Sequence, residues 1–136
     1  MTSAICKLFT DGGSRGNPGP AAIGGILIRN GETLNTFGTY IGTATNNSAE
    51  YQALIAGLKL AFKRRIQTLT CYLDSELVVR QLNFQYKVKD ASLAQLFMQV
   101  HSLRQAFSKV TFISIPREQN AAADALVNNA LDAAKK

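Results

Sequence analysis

Hydrophobic and polar residues alternate in short runs through the first third of the chain, and longer segments with helical spacing follow. Runs rich in β-branched and aromatic residues predict five strands, over residues 4–10, 22–29, 33–41, 68–73 and 109–115. Residues 11–20 contain four glycines and two prolines, which predicts a loop after the first strand. Asn30-Gly31 indicates a tight hairpin between the second and third strands, because both residues tolerate positive φ.

The remaining periodic segments predict helices. Asn47 and Glu50 have the spacing of a capping box, which predicts a helix that begins there and ends at Lys63. Further helices are predicted over residues 75–82, 92–107 and 121–134, and the second of these is strongly amphipathic. Three consecutive strands followed by alternating helices and strands predict one α/β domain over residues 1–136. Its five-stranded mixed sheet would be flanked by helices.

Four acidic residues fall at the ends of these predicted elements. Asp11 follows the first strand and Asp74 the fourth, while Glu50 and Asp124 lie near the starts of helices. If the first and fourth strands are neighbours, Asp11 and Asp74 meet at the sheet edge where sites in open α/β folds lie. A carboxylate cluster there would need a cation, and oxygen ligands favour Mg²⁺ or Mn²⁺.

Each acid also has a simpler interpretation. Asp11 could form an Asx-turn, Glu50 a capping-box contact and Asp74 an N-cap, and Asp124 could complement a helix dipole. Spacing alone leaves open whether the four side chains converge.

Charge and composition narrow the class of partner. Fifteen Lys and Arg against nine Asp and Glu give a net charge of +6, which favours a polyanionic partner, nucleic acid first. The basic cluster at residues 63–65 is interpreted as a solvated helix end. No apolar run approaches the roughly 20 residues that span a membrane, and no secretory signal is recognisable, so we expect a soluble, cytoplasmic protein. Cys6 and Cys71 are interpreted as reduced, buried thiols, with a disulfide between adjacent strands as the alternative.

Two further features carry weaker signals. The glycine-rich segment lacks the Gly-Lys-Ser/Thr of a P-loop and the spacing of a dinucleotide fingerprint. It is either a plain loop or a place where glycines let a nucleic-acid backbone approach, with Asn17 offering polar contacts. His101, the only histidine, lies in the long amphipathic helix and is interpreted as a boundary residue.

Four segments, in order along nearly the whole chain, resemble the signatures of type 1 ribonuclease H. They are residues 9–20 around Asp11, 45–50 with Thr-Asn-Asn before Glu50, 72–75 around Asp74, and 116–126 with Asp124. The resemblance implies a ribonuclease H-like fold with a sheet ordered 3-2-1-4-5. It also implies hydrolysis of the RNA strand of RNA–DNA hybrids by two metal ions, leaving 5′-phosphate and 3′-hydroxyl ends.

The resemblance further implies roles for individual residues. Asp11 would bridge two Mg²⁺ ions, for which Mn²⁺ could substitute, and Asp124 would help hold the ion that activates water. Glu50 and Asp74 would hold the ion nearer the leaving oxygen. The implied substrate contacts are Asn17, Asn46 and Asn47 in the minor groove, where 2′-hydroxyls mark RNA, Thr45 at a DNA phosphate, and Gly12.

The chain departs from the family pattern at three places. The segment before Asp124 lacks the histidine that many members carry, and Arg117 and Glu118 are the nearby residues that could replace it. The basic insertion before the long amphipathic helix is also missing, which leaves Lys87 and Lys89 as substrate contacts. Asp90 stands where members often have an asparagine that contacts DNA phosphate, and a carboxylate there should repel phosphate.

Three functions therefore compete. The first is a hybrid-specific endonuclease that acts as a monomer, without an obligate protein partner or a membrane. The second is a metal nuclease of the same fold that cuts double-stranded RNA or branched DNA. The third is a non-catalytic nucleic-acid-binding or partner-binding module, against which the four intact carboxylates argue.

Overall fold

The structure, a computed structural model, describes residues 4–135. The strands are β1 (Cys6–Ser14), β2 (Gly19–Arg29), β3 (Glu32–Ala44), β4 (Thr68–Leu73) and β5 (Lys109–Ser114). The helices are α1 (Asn46–Lys63), α2 (Glu76–Leu82), α3 (Ala91–Arg104) and α4 (Ala121–Ala134), and a 3₁₀ turn (Arg117–Asn120) precedes α4.

The five strands form one mixed sheet in the order β3-β2-β1-β4-β5. The β1–β2 and β2–β3 pairs are antiparallel, whereas β4 pairs in parallel with both β1 and β5. This confirms the predicted sheet order. Because β1 and β4 are parallel neighbours, their carboxyl ends meet at the same edge of the sheet.

Strand β1 is longer than the sequence predicts. Asp11, Gly12 and Gly13 were expected to end it, but it continues to Ser14 because these residues pair with β2. Strand β2 likewise begins at Gly19, so the predicted loop over residues 11–20 shrinks to residues 15–18. Asp11 therefore lies inside β1 and not at its end. It is still beyond the last β1–β4 pair, which joins Phe9 and Tyr72.

Helix α1 starts earlier than the predicted capping box. Its N-cap is Thr45, whose Oγ1 accepts a hydrogen bond from the Ser48 amide at 3.2 Å. Asn47 lies within the helix, and Glu50 accepts a bond from Gly12 in β1. The capping-box prediction is therefore wrong, because Glu50 has a partner in another element.

Helix α3 is capped by Asp90, whose carboxylate accepts bonds from the amides of Ser92 and Leu93 at 2.8 and 3.0 Å. The helix ends at Arg104, three residues before its predicted end. Within α3 only Val100 is fully buried, and the other apolar residues of the predicted face that lie in the helix are partly buried.

The main core lies between the sheet and α1, where Tyr51, Leu54 and Leu58 are fully buried. Helix α4 packs closely on the other face, since a Cβ on Gly24 would lie 2.8 Å from the Ala123 carbonyl oxygen. Cys6 is a free thiol in the main core.

The structure also tests three smaller predictions, on Cys71, on the basic cluster at residues 63–65 and on membrane-spanning helices. Cys71 is buried and unlinked, as predicted, and burial raises the pKa of its thiol. The basic cluster at residues 63–65 is exposed at the end of α1, as predicted, and Arg64 also donates to the Asn35 side chain and to the Leu34 carbonyl. Within residues 4–135, no helix has the length and apolarity needed to cross a membrane.

Candidate active site

Three carboxylates meet just beyond the last β1–β4 pair. Ligand oxygens of Asp11, Glu50 and Asp74 all lie within 4.8 Å of one another. Asp124, in the first turn of α4, lines the same cleft of about 490 Å³. The structure therefore brings all four acids to one cleft, with the first three in closest contact.

Glu50 reaches the cluster from the first turns of α1. Its Oε1 accepts a hydrogen bond from the backbone N–H of Gly12 at 2.6 Å. Its Oε2 is buried and has no hydrogen-bond partner within the described chain. The approach of α1 to β1 is close enough that a Cβ on Gly12 would overlap the backbone of Ala49.

The electrostatics of the cluster are unfavourable without a counter-charge. Burial raises the pKa of Asp11 and the pKa of Glu50. The negative charge of Asp74 raises the pKa of both further, and Asp124 raises that of Asp11. A cation would remove this repulsion.

The donor set fits a divalent metal ion. All three clustered side chains offer oxygen ligands, which suit hard cations. The unpartnered Oε2 of Glu50 is a buried acceptor that a cation would satisfy.

The predicted substrate contacts divide into two groups. Gly12, Asn46, Asn47 and Arg117 line the cleft. Asn46 is held in place because its Oδ1 accepts bonds from the Ser14 amide at 2.8 Å and from the Ser14 hydroxyl at 3.1 Å.

Other predicted contacts lie outside the cleft lining. Asn17 accepts a bond from the Asn46 amide at 3.0 Å, and Thr45 caps α1. Glu118, Lys87 and Lys89 are exposed, and the structure does not bring them to the acid cluster.

Sequence reasoning missed two site residues. Asn120 is 1% exposed, and its Nδ2 donates to Asp74 Oδ2 at 3.1 Å. Asn128 lines the cleft, and its Nδ2 donates to Asp124 Oδ2 at 3.3 Å. Polar side chains in the otherwise alanine-rich segment around α4 were the available signal for both.

The fold agrees with comparisons against known proteins. A family model described as reverse transcriptase-like matches residues 9–130. The chain is 41% identical over 125 residues to ribonuclease HI of Halobacterium salinarum, covering 91% of this chain and 63% of that protein. It is 43% identical over 126 residues to a bifunctional protein of Mycobacterium tuberculosis, of which it spans only 35%.

The solved structures that are similar to this chain include ribonuclease H domains. The N-terminal RNase H domain of the Mycobacterium tuberculosis protein has a TM-score of 0.93 and 41% identity, covering 98% of this chain and 97% of that one. LC11-RNase H1 in complex with an RNA/DNA hybrid has a TM-score of 0.90 and 42% identity, covering 96% and 99%. The chain belongs to the reverse transcriptase-like family of ribonuclease H domains. Within that family it is similar to type 1 ribonucleases H.

Proposed function

We propose that this chain is a ribonuclease H that cleaves the RNA strand of RNA–DNA hybrids and leaves 5′-phosphate and 3′-hydroxyl ends. The observation that carries the proposal is the meeting of Asp11, Glu50 and Asp74 in a cleft that Asp124 also lines. The hybrid bound to LC11-RNase H1, a similar protein, supports the choice of substrate. The proposal treats residues 1–136 as one catalytic domain that acts as a monomer.

The four acids would hold two divalent ions, Mg²⁺ with Mn²⁺ as a substitute. Such ions stabilise the attacking and leaving oxygens of a phosphodiester as it is hydrolysed. The chain's part is to fix the ligands in advance. The Gly12 N–H orients the Glu50 carboxylate, and the side chain of Asn128 does the same for Asp124.

Asparagines beside the cleft would read the RNA strand. The Oδ1 atoms of Asn46 and Asn17 are already engaged, with Ser14 and with the Asn46 amide respectively. Their Nδ2 groups therefore remain as donors. In this proposal they contact the minor groove, where 2′-hydroxyls distinguish RNA from DNA.

The test is an assay on three labelled duplexes, namely hybrid, RNA–RNA and DNA–DNA, with Mg²⁺ or Mn²⁺. We expect cleavage of the RNA strand of the hybrid alone. Equal cleavage of the RNA duplex would favour a metal nuclease of the same fold with a broader substrate range. If neither metal supports cleavage of any duplex, the remaining function is that of a non-catalytic binding module.

Arg117 is expected to contact a substrate phosphate because it lines the cleft, whereas the neighbouring Glu118 does not. Hydrogen bonds to charged groups contribute about 1.5–3 kcal/mol, so Arg117→Ala should lower kcat/KM by about 10- to 100-fold. Glu118→Ala is the matched control and should change kcat/KM less than about threefold. The reverse result would assign to Glu118 the part of the missing histidine, as a proton-transfer group.

Affinity for the hybrid is expected to depend weakly on salt, since the chain lacks the basic insertion. Each phosphate contact contributes about 0.9 to the slope of log affinity against log salt. Replacing both Lys87 and Lys89 by alanine should reduce that slope by roughly 2. It should also raise KM more than it lowers kcat. Binding would be measured in Ca²⁺ over a series of salt concentrations.

The control for this prediction removes the same charge elsewhere. Lys63 ends α1, about 26 Å from its first residue at about 1.5 Å per residue, and Arg65 follows two residues later. Replacing both by alanine should leave the slope nearly unchanged. A steep slope that only this control variant reduces would place the electrostatic contacts at the far end of α1.

A further inference from the structure

We propose that Asn120 is a positioning residue, which sets the affinity of the acid cluster for divalent metal by holding Asp74 against β1 at the start of α4. The proposal rests on the function proposed above and adds a residue that the four-acid pattern does not include.

Asn120 links three of the segments that carry the acids, two of them through its side chain. Its Nδ2 donates to the Thr10 carbonyl oxygen at 2.9 Å, next to Asp11 in β1. The same Nδ2 donates to Asp74 Oδ2 at 3.1 Å, just past the end of β4. Asn120 itself directly precedes α4, so Asp124 follows it by about one helical turn.

The side-chain amide satisfies both contacts only in this orientation. The two partners are acceptors, a backbone carbonyl and a carboxylate, and an NH₂ group offers two donors. Turning the amide over would place Oδ1 against both acceptors. The observed orientation is therefore fixed, even though Oδ1 has no hydrogen-bond partner within the described chain.

A fixed donor on Asp74 has a direct consequence for metal binding. A hydrogen bond to the carboxylate restrains its rotation, so the remaining lone pairs are presented in one direction. Partners of this kind typically contribute about 10- to 100-fold to metal affinity or activity. Asn120 is 1% exposed, and we assign its effect to the neighbouring carboxylate and not to contact with the substrate.

The experiment measures Mg²⁺ binding to the free protein by calorimetry, together with the midpoint of unfolding in the absence of metal. Asn120→Ala should raise the metal dissociation constant by about 10- to 100-fold. At a fixed, sub-saturating Mg²⁺ concentration it should lower kcat with little change in the KM for hybrid. Saturating Mg²⁺ should restore most of kcat.

Gln81→Ala provides the matched control. Gln81 is a buried amide that accepts a hydrogen bond from the Tyr51 hydroxyl at 2.7 Å, and it does not line the acid cleft. It should lower the unfolding midpoint without changing the metal dissociation constant. If Asn120→Ala behaves in the same way, Asn120 is only a core hydrogen bond and the proposal is overturned.

A second variant covers the case in which Asn120→Ala does not fold. Asn120→Ser keeps one donor on a side chain one bond shorter, and it should show a smaller loss of metal affinity in the same direction. Failure of both variants to fold would overturn the proposal, because Asn120 would then be needed for the fold as a whole. Absence of Mg²⁺ binding by the unmodified protein would overturn it as well.

The readouts separate this proposal from the proposed function. Protein that binds Mg²⁺ with an Asn120-dependent affinity but leaves hybrids intact would contradict the nuclease function alone. Active protein whose metal affinity ignores Asn120 would contradict the positioning role alone.

Discussion

Asp11→Asn is expected to reduce hybrid cleavage by at least about 10³-fold while the protein stays folded. Metal ions contribute several kcal/mol to the stabilisation of a phosphoryl transition state, and each 1.36 kcal/mol corresponds to about tenfold in rate. Asparagine keeps the size of Asp11 but removes the charge at the centre of the cluster. The measurement is single-turnover cleavage of a labelled hybrid over a range of Mg²⁺ concentrations.

Binding and stability controls distinguish lost chemistry from lost structure. In Ca²⁺, the variant should bind the hybrid at least as well as the unmodified protein, because one negative charge leaves the phosphate path. Cleavage at a near-normal rate in a folded variant would contradict the four-acid site.

Without metal, the stability of both the unmodified protein and the Asp11→Asn variant is expected to depend on pH. The folded-state pKa values of Asp11 and Glu50 are raised above the ordinary 3.8 and 4.5, mainly by burial. A group whose pKa is raised on folding makes its full contribution to the free energy of unfolding below its ordinary pKa. That contribution is lost as the pH rises through the folded-state pKa. Metal-free protein should therefore lose stability from acidic to neutral pH, and Asp11→Asn should lose less. Urea titrations in a chelator at several pH values check this, and equal losses would count against the shared burial of the two acids.

The sequence predicts the parts of the fold that depend on residues close together in the chain, such as turns and the ends of helices and strands. The hairpin at Asn30-Gly31 is one, and both residues have positive φ, 50° and 81°. The position of Asp74 just after β4 and that of Asp124 in the first turn of α4 are another, whereas Asp11 lies inside β1. The sheet order was available only through the family resemblance.

The failed predictions have a common cause, which is a partner distant in sequence. Glu50 suggested a capping box, but its carboxylate accepts a bond from Gly12, 38 residues away. Glycine is a poor strand former, yet Gly12 and Gly13 extend β1 because β2 supplies their pairing partners. Asn120 contacts Thr10 across 110 residues, so a local window could mark it as a polar residue but could not show this partner.

Gly12→Ala is expected to cost about 3 kcal/mol or more in the free energy of unfolding and to abolish most of the activity. Overpacking a tight interior contact costs about 1–3 kcal/mol and occasionally more. Here the added methyl group would overlap the Ala49 carbonyl and lie 2.6 Å from the Glu50 amide nitrogen. Both are backbone atoms of α1, so no side-chain rotation relieves the clash.

The clash also bears on chemistry, because α1 must move to relieve it and Glu50 moves with the helix. Gly13→Ala is the matched control, since its Cβ would meet only Val127 Cγ1 at 3.9 Å and Asn46 Oδ1 at 4.0 Å, which is ordinary contact. Equilibrium urea unfolding of the two variants gives the comparison, and Mg²⁺ calorimetry reports the displacement of Glu50. Equal stability of the two variants would mean that α1 approaches β1 less closely than the structure indicates. The hydrogen bond from Gly12 to Glu50 could not then be what orients this carboxylate.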